Sequence, residues 1–136
     1  MLIESDPAAL AELRGHLESW GLVVREPDLQ SVVPIRDGLT DAAAIIADFE
    51  LDGSAALGSP YTGLALALRI AHIAARRIPT LMISGRFGRG AIPACSPHRI
   101  PVLFRPVPIS QIRGWLALQG VLSEANAWPA SSLAAS

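Results

Sequence analysis

Five short apolar runs constrain this chain more than anything else in it: Met1–Glu4 (MLIE), Leu22–Val24 (LVV), Ala43–Ala47 (AAIIA), Thr80–Ile83 (TLMI) and Val102–Phe104 (VLF). They are continuous rather than alternating, the pattern of strands covered on both faces, as in a parallel sheet. Helical periodicity fills the spaces between them. Leu10, Leu13, Leu17 and Trp20 repeat at i, i+3, i+7 and i+10 and define one helix face. That helix starts at Asp6, a residue suited to an N-cap, followed by Pro7 at its first position, and Gly21 ends it. Gly63–Arg77 predicts a longer helix, with Leu64, Leu68, Ala71 and Ala75 along one stripe and Leu66, Ile70 and Ile73 widening it. Pro108–Gln119 predicts the last helix, with Ile109, Ile112 and Leu116 inward. Strand–helix alternation with crossovers of this length implies right-handed βαβ units and a doubly wound α/β sandwich on a five-stranded parallel sheet.

Two crossovers are weaker. Asp28–Asp41 contains Pro34 and Gly38, so its helix is expected to be short or irregular. Arg86–Pro101 carries Gly90, Pro93 and Pro97 in its middle, so the fourth helix is expected to be irregular or missing. Residues 121–136 read as a C-terminal helix extension or tail, small and polar with Pro129. At 136 residues, half of them apolar and 17% charged, the chain is one globular domain rather than two. Its net charge of −1 gives no electrostatic case for nucleic acid or an anionic membrane as partner. No apolar run approaches the roughly 20 residues of a membrane span, and no signal peptide is visible, so a cytoplasmic location is expected. One cysteine, Cys95, fits a reducing compartment and leaves neither a disulfide nor a zinc framework. All eleven cationic side chains are arginine, so any task usually given to lysine falls to another group.

Polar groups stand just past the runs: Ser5 and Asp6 after the first, Asp48 after the third, Ser84 after the fourth, Arg105 after the fifth. Ligands of open α/β sheets bind outside the carboxyl ends of the strands. Separate segments thus deliver two carboxylates, a hydroxyl and a guanidinium to one edge.

These residues resemble the receiver domain of two-component response regulators over essentially residues 1–120. LIESDP is similar to the family's first-strand acidic motif, IIADFEL to the strand bearing the phosphorylated aspartate, LMISG to the fourth-strand Ser/Thr motif, and VLFRPV to the fifth-strand Lys-Pro motif. The resemblance implies strand order 2-1-3-4-5. It makes Asp48 the phosphoacceptor, supported by Ser84 and Arg105. It also implies Mg²⁺ held by Asp6, Asp48 and the backbone carbonyl of Glu50, and a histidine kinase or histidine phosphotransfer protein as partner. The chemistry agrees: a carboxylate can take a phosphoryl group from a phosphohistidine, and the step needs positioning and charge neutralisation more than covalent help.

The departures are specific. Ser5 stands at the place of the first acid, which weakens the expected metal site. Glu4 as its substitute is the weaker reading, because strand alternation does not aim both ends of ESD at one point. Arg105 replaces lysine with a planar fork. Val102 stands where an aromatic switch residue is usual. Gly63 lies fifteen positions beyond Asp48, so Asp52–Thr62 reads as an insertion beside the site. Arg86 and Arg89 read as solvated loop charges. His16 and His72 read as surface or packing residues, Trp20 and Trp115 as helix packing, His98 with Cys95 as no metal site, and Trp128 as an aromatic open to docking. The leading function is a phosphoacceptor receiver, whether stand-alone or part of a hybrid kinase. It would be a signalling domain rather than a metabolic enzyme, with homodimerisation left open. The alternative is a pseudo-receiver that binds or dimerises without phosphotransfer.

Overall fold

A computed structural model of the chain describes residues 1–28, 40–51, 63–85 and 90–122. Four strands form one parallel sheet: β1 (Leu2–Ile3), β2 (Ile45–Asp48), β3 (Thr80–Ser84) and β4 (Val102–Phe104), in the order β1-β2-β3-β4. Leu2 lies opposite Ile46, Asp48 opposite Ile83, and Ser84 opposite Phe104. Four helices accompany them: α1 (Pro7–Ser19), α2 (Gly63–Ala74), α3 (Ala91–Cys95) and α4 (Ile109–Leu118).

The expected five-stranded sheet is described with four. The Leu22–Val24 run forms no ladder; the Leu2 N–H donates to the Arg25 carbonyl at 2.9 Å, and the segment otherwise contributes side chains. Val24 is buried and Val23 is 76% exposed, an alternation that belongs to a one-sided edge rather than to a strand covered twice. Pro27 follows closely and has no N–H to add to a ladder. The described order therefore matches the 1-3-4-5 portion of the expected one.

Side chains of each strand alternate between two cores. Leu2, Ile46, Leu81 and Ile83 pack with Leu17 and Trp20 of the α1 end and with Ile112 and Leu116 of α4. Ile3, Ile45, Ala47 and Met82 pack with Leu64, Leu66, Ala67 and Ile70 of α2 and with Cys95 of α3. The result is three layers, with the sheet covered on both faces. α1 begins as expected: the Ala8 N–H donates to Asp6 Oδ1 at 3.3 Å, Pro7 follows the cap, and Gly21 takes φ 85° beyond the end. Trp20 is buried, and the Arg113 guanidinium lies 4.6 Å over its ring.

α2 stops at Ala74, three residues short of Arg77, where Ala75 turns into the left-handed region and the Arg76 side chain donates to the Thr40 and Ala42 carbonyls. Its buried face runs through Leu66, Ala67 and Ile70 with Leu64, while Ile73 is 51% exposed. The inward stripe is thus rotated from the one drawn through Leu68, Ala71 and Ala75. Between β3 and β4 the breakers leave only the five-residue α3 and a 3₁₀ turn at Ser96–His98, in line with the irregular fourth crossover expected. His16, His72 and His98 are exposed and Cys95 is buried. Most of the Asp28–Asp41 crossover, the Asp52–Thr62 insertion, Arg86, Arg89, and the tail with Trp128 lie outside the described residues.

Candidate functional site

β2 and β3 are the two interior strands, and their last residues are Asp48 and Ser84. Asp48 is 7% exposed and Ser84 is fully buried at the carboxyl edge of the sheet. Glu4 follows β1 and Arg105 follows β4, so the outer strands deliver one charge each to the same edge. Gly63 opens α2 against this edge, donating its N–H to the Phe49 carbonyl at 3.1 Å. A Cβ on residue 63 would fall 1.9 Å from the Asp48 carbonyl oxygen, so only glycine lets the helix start here.

Arg105 grips Asp48 with both ends of its fork, Nη1 to Oδ1 at 3.3 Å and Nη2 to Oδ2 at 3.1 Å. The same Nη2 donates to Glu4 Oε2 at 2.8 Å. Glu4, with a side chain only 8% exposed, also accepts the Asp6 N–H at 3.0 Å. On the other side, the Glu50 N–H donates to Asp48 Oδ1 at 3.1 Å. The Glu50 carboxylate turns away from Asp48 to accept the Ser84 hydroxyl at 2.6 Å and the Gly85 N–H at 3.0 Å.

These contacts set the protonation of the site. Burial pushes the Glu4 carboxyl up to about 7, with the neighbouring Asp48 adding to the rise and the Asp6 N–H and Arg105 opposing it. Burial acts on Glu50 in the same sense, but the Ser84 hydroxyl, the Gly85 N–H and the Arg105 charge overcome it and hold Glu50 below the usual range. Burial alone would lower Arg105; its bonds and attraction to Asp48 and Glu4 raise it instead.

Of the residues singled out in the sequence, Asp48, Ser84 and Arg105 converge, Asp48 with Arg105 directly and Ser84 through Glu50. Asp6 does not join them: its carboxylate is exposed and caps α1. Glu50, expected to serve through its backbone carbonyl, also enters the site through its side chain. Glu4 is the principal residue underrated by sequence reasoning. Alternation argued against it, but β1 ends at Ile3, opposite Ala47, and one residue on Glu4 falls abreast of Asp48. No sequence signal marked this: the apolar run extends to Glu4, whereas the strand stops after two residues, beyond which the pleat no longer dictates direction.

Magnesium prefers a near-octahedral shell of oxygens. Among the described residues no three His, Cys, Asp or Glu groups are placed to hold a metal ion. Asp6 is exposed and caps α1, the Glu50 carboxylate is engaged by Ser84 and Gly85, and Glu4 and Asp48 are engaged by Arg105. The Glu50 backbone carbonyl expected from the sequence would add only a neutral oxygen to acids already paired. As folded, this donor set does not fit the ion.

No family model and no curated protein sequence matches the chain. Solved structures do. A response regulator receiver domain from Clostridium thermocellum aligns with a TM-score of 0.68 at 15% identity, over 87% of this chain and 90% of that one. A protein described as an adenylate cyclase from Rhodopirellula baltica aligns at 0.66 and 18% identity, over 87% and 83%. The receiver domain of a sensor histidine kinase from Pseudomonas aeruginosa, with a magnesium ion coordinated in its active-site cleft, aligns at 0.64 and 18% identity, over 88% and 94%. The fold is that of the response regulator receiver domains. Identities this low establish the architecture; the chemistry has to be argued from the site.

Proposed function

We propose that this chain is a receiver domain whose phosphoacceptor is Asp48, taking a phosphoryl group from a phosphohistidine on a histidine kinase or a histidine phosphotransfer protein. The observation that carries the reading is the placement of Asp48: a carboxylate at the end of an interior strand, nearly buried, with both oxygens in hydrogen-bond reach of one guanidinium. An Asp48 oxygen attacks phosphorus, the P–O bond forms as the P–N bond to the donor imidazole breaks, and the electron pair leaves on that nitrogen. Arg105 offsets charge on the phosphoryl oxygens. The Ser84 hydroxyl, released from Glu50, is the second contact for them, and the exchange of Glu50 for a phosphoryl oxygen is the change a partner would read.

Incubation with a small phosphodonor, followed by intact mass, tests the proposal. The expected result is a gain of one phosphoryl group that Asp48→Asn abolishes. No gain, or a gain that survives the substitution, overturns it.

A second reading has its own observation. Arg105 is already bound by two carboxylates and Ser84 by a third, so the site is internally satisfied before any phosphoryl group arrives. A pseudo-receiver that binds or dimerises without phosphotransfer would show no mass gain and unchanged partner binding in Asp48→Asn. No helix among the described residues is long and apolar enough to cross a membrane. We place the domain in the cytoplasm, where its phosphodonors would be.

A further inference from the structure

The cation requirement of this site is a separate question from whether Asp48 reacts, although its consequence for phosphotransfer rests on the reading above. Two acids, Glu4 and Asp48, meet at the sheet edge with side chains 8% and 7% exposed. Two carboxylates this close and this dry need a positive charge between them when both are ionised. The fold supplies one from its own chain. Arg105 spends Nη1–H and both Nη2–H groups on these acids, at 3.3, 3.1 and 2.8 Å, and so covers both Asp48 oxygens. A guanidinium fork suits paired carboxylates in a way that a compact ammonium does not. Among the described residues no third acid is placed with these two to hold a metal: Asp6 is exposed and caps α1, and Ser5 follows Glu4.

We infer that the Asp48 site carries its own counter-charge and is closed to divalent cations, with the Arg105 guanidinium as that charge and Glu4 as the positioning residue that holds it over Asp48. A divalent ion reaching Asp48 would have to displace the guanidinium and leave it without its acidic partners, a costly exchange in a partly buried position. Of the five N–H donors of a guanidinium, three are engaged by the acids, which leaves Nε–H and one Nη1–H among the described residues. Those are the donors that meet the phosphoryl oxygens as the Asp48 O–P bond forms and the donor's P–N bond breaks, the donor nitrogen taking its proton from water.

The test uses the full chain labelled with ¹⁵N, titrated with Mg²⁺ and then with Mn²⁺ as a paramagnetic probe. Wild type gives no saturable amide shift through the millimolar range and no selective Mn²⁺ broadening at Glu50 and Gly85. Arg105→Ala, and Arg105→Gln as a second variant should the first lose its dispersed spectrum, uncover two adjacent carboxylates and gain both signals. Saturable, site-localised binding in wild type overturns the inference, and so do folded variants that stay silent.

A phosphoramidate donor supplies the second readout. The phosphoryl gain on Asp48 is unchanged by EDTA; Glu4→Gln slows it on the order of tenfold, and Glu4→Asp recovers part of the loss. A gain that EDTA abolishes overturns the inference while leaving the phosphoacceptor reading intact. No gain under either condition sinks that reading instead, and the NMR titration alone then decides the inference.

Discussion

At the scale of single residues, Glu4 carries the strongest pH signature. Its carboxyl titrates at about 7 in the fold against an ordinary 4.5. Between those values the folded state holds a proton that the unfolded chain has released, so stability falls as pH rises through this window and the loss is complete above the folded value. Urea midpoints measured from about pH 4 to pH 8 are therefore expected to fall less steeply in Glu4→Gln than in wild type. Equal slopes would mean that Glu4 is solvated in the folded protein. Glu50 has the opposite sign. Its carboxyl is held low by Ser84 and Gly85, so that contribution is lost as pH falls. Ser84→Ala removes one of the two donors and should raise the Glu50 titration midpoint in carboxyl-detected NMR, at a cost of about 1 kcal/mol in stability. A Glu50 midpoint unmoved by the substitution would show that the Gly85 N–H alone sets it.

Elements explain which parts of the site could be read from the letters. Asp48, Ser84 and Arg105 were legible because each closes or follows a run of apolar residues, and a parallel sheet gathers such ends at one edge. Glu4 and the Glu50 side chain were not, because their directions depend on where β1 stops and how the chain turns after Asp48, neither of which has a period. Asp6 shows the same limit from the other side. An acid before Pro7 satisfies both a cap pattern and a metal pattern, two roles that are compatible, and the fold shows the cap. Asp6→Ala is expected to cost about 1 kcal/mol, the value of a lost N-cap, while leaving the amide shifts of Glu50 and Gly85 in place. Movement of those shifts would put Asp6 inside the site after all. The start of α2 is stricter. Gly63→Ala sets a methyl against the Asp48 carbonyl, 1.9 Å away before any relaxation, and should destabilise the fold by about 1–3 kcal/mol or shift the helix off the strand end. Chemical denaturation and the amide shifts of 48–50 together distinguish these outcomes; an unchanged midpoint would mean the helix start can slide freely.

Across the whole molecule, the functional edge is assembled from parts of unequal security. β2 and β3 are paired on both sides, and their side chains feed both cores, so they can open only when the sheet comes apart. β1 and β4 are the outer members of the described sheet; β1 has two residues, and none of the three residues of β4 is buried. Asp48, the proposed acceptor, and the hydroxyl of Ser84 therefore ride on the most protected strands, whereas Glu4 and Arg105 follow the outer ones. On the proposed function, a site divided this way would keep its nucleophile fixed while its clamp loosens at lower energy. Hydrogen exchange in the native state tests the division. Amides of 45–48 and 81–84 are expected to exchange by global unfolding, with the same denaturant dependence as the equilibrium transition, while those of 102–105 exchange earlier by partial opening. If the 102–105 amides instead match the interior strands in both rate and denaturant dependence, Arg105 is as fixed as Asp48. The site would then have no yielding partner with which to signal, and the pseudo-receiver reading would gain at the expense of the phosphoacceptor.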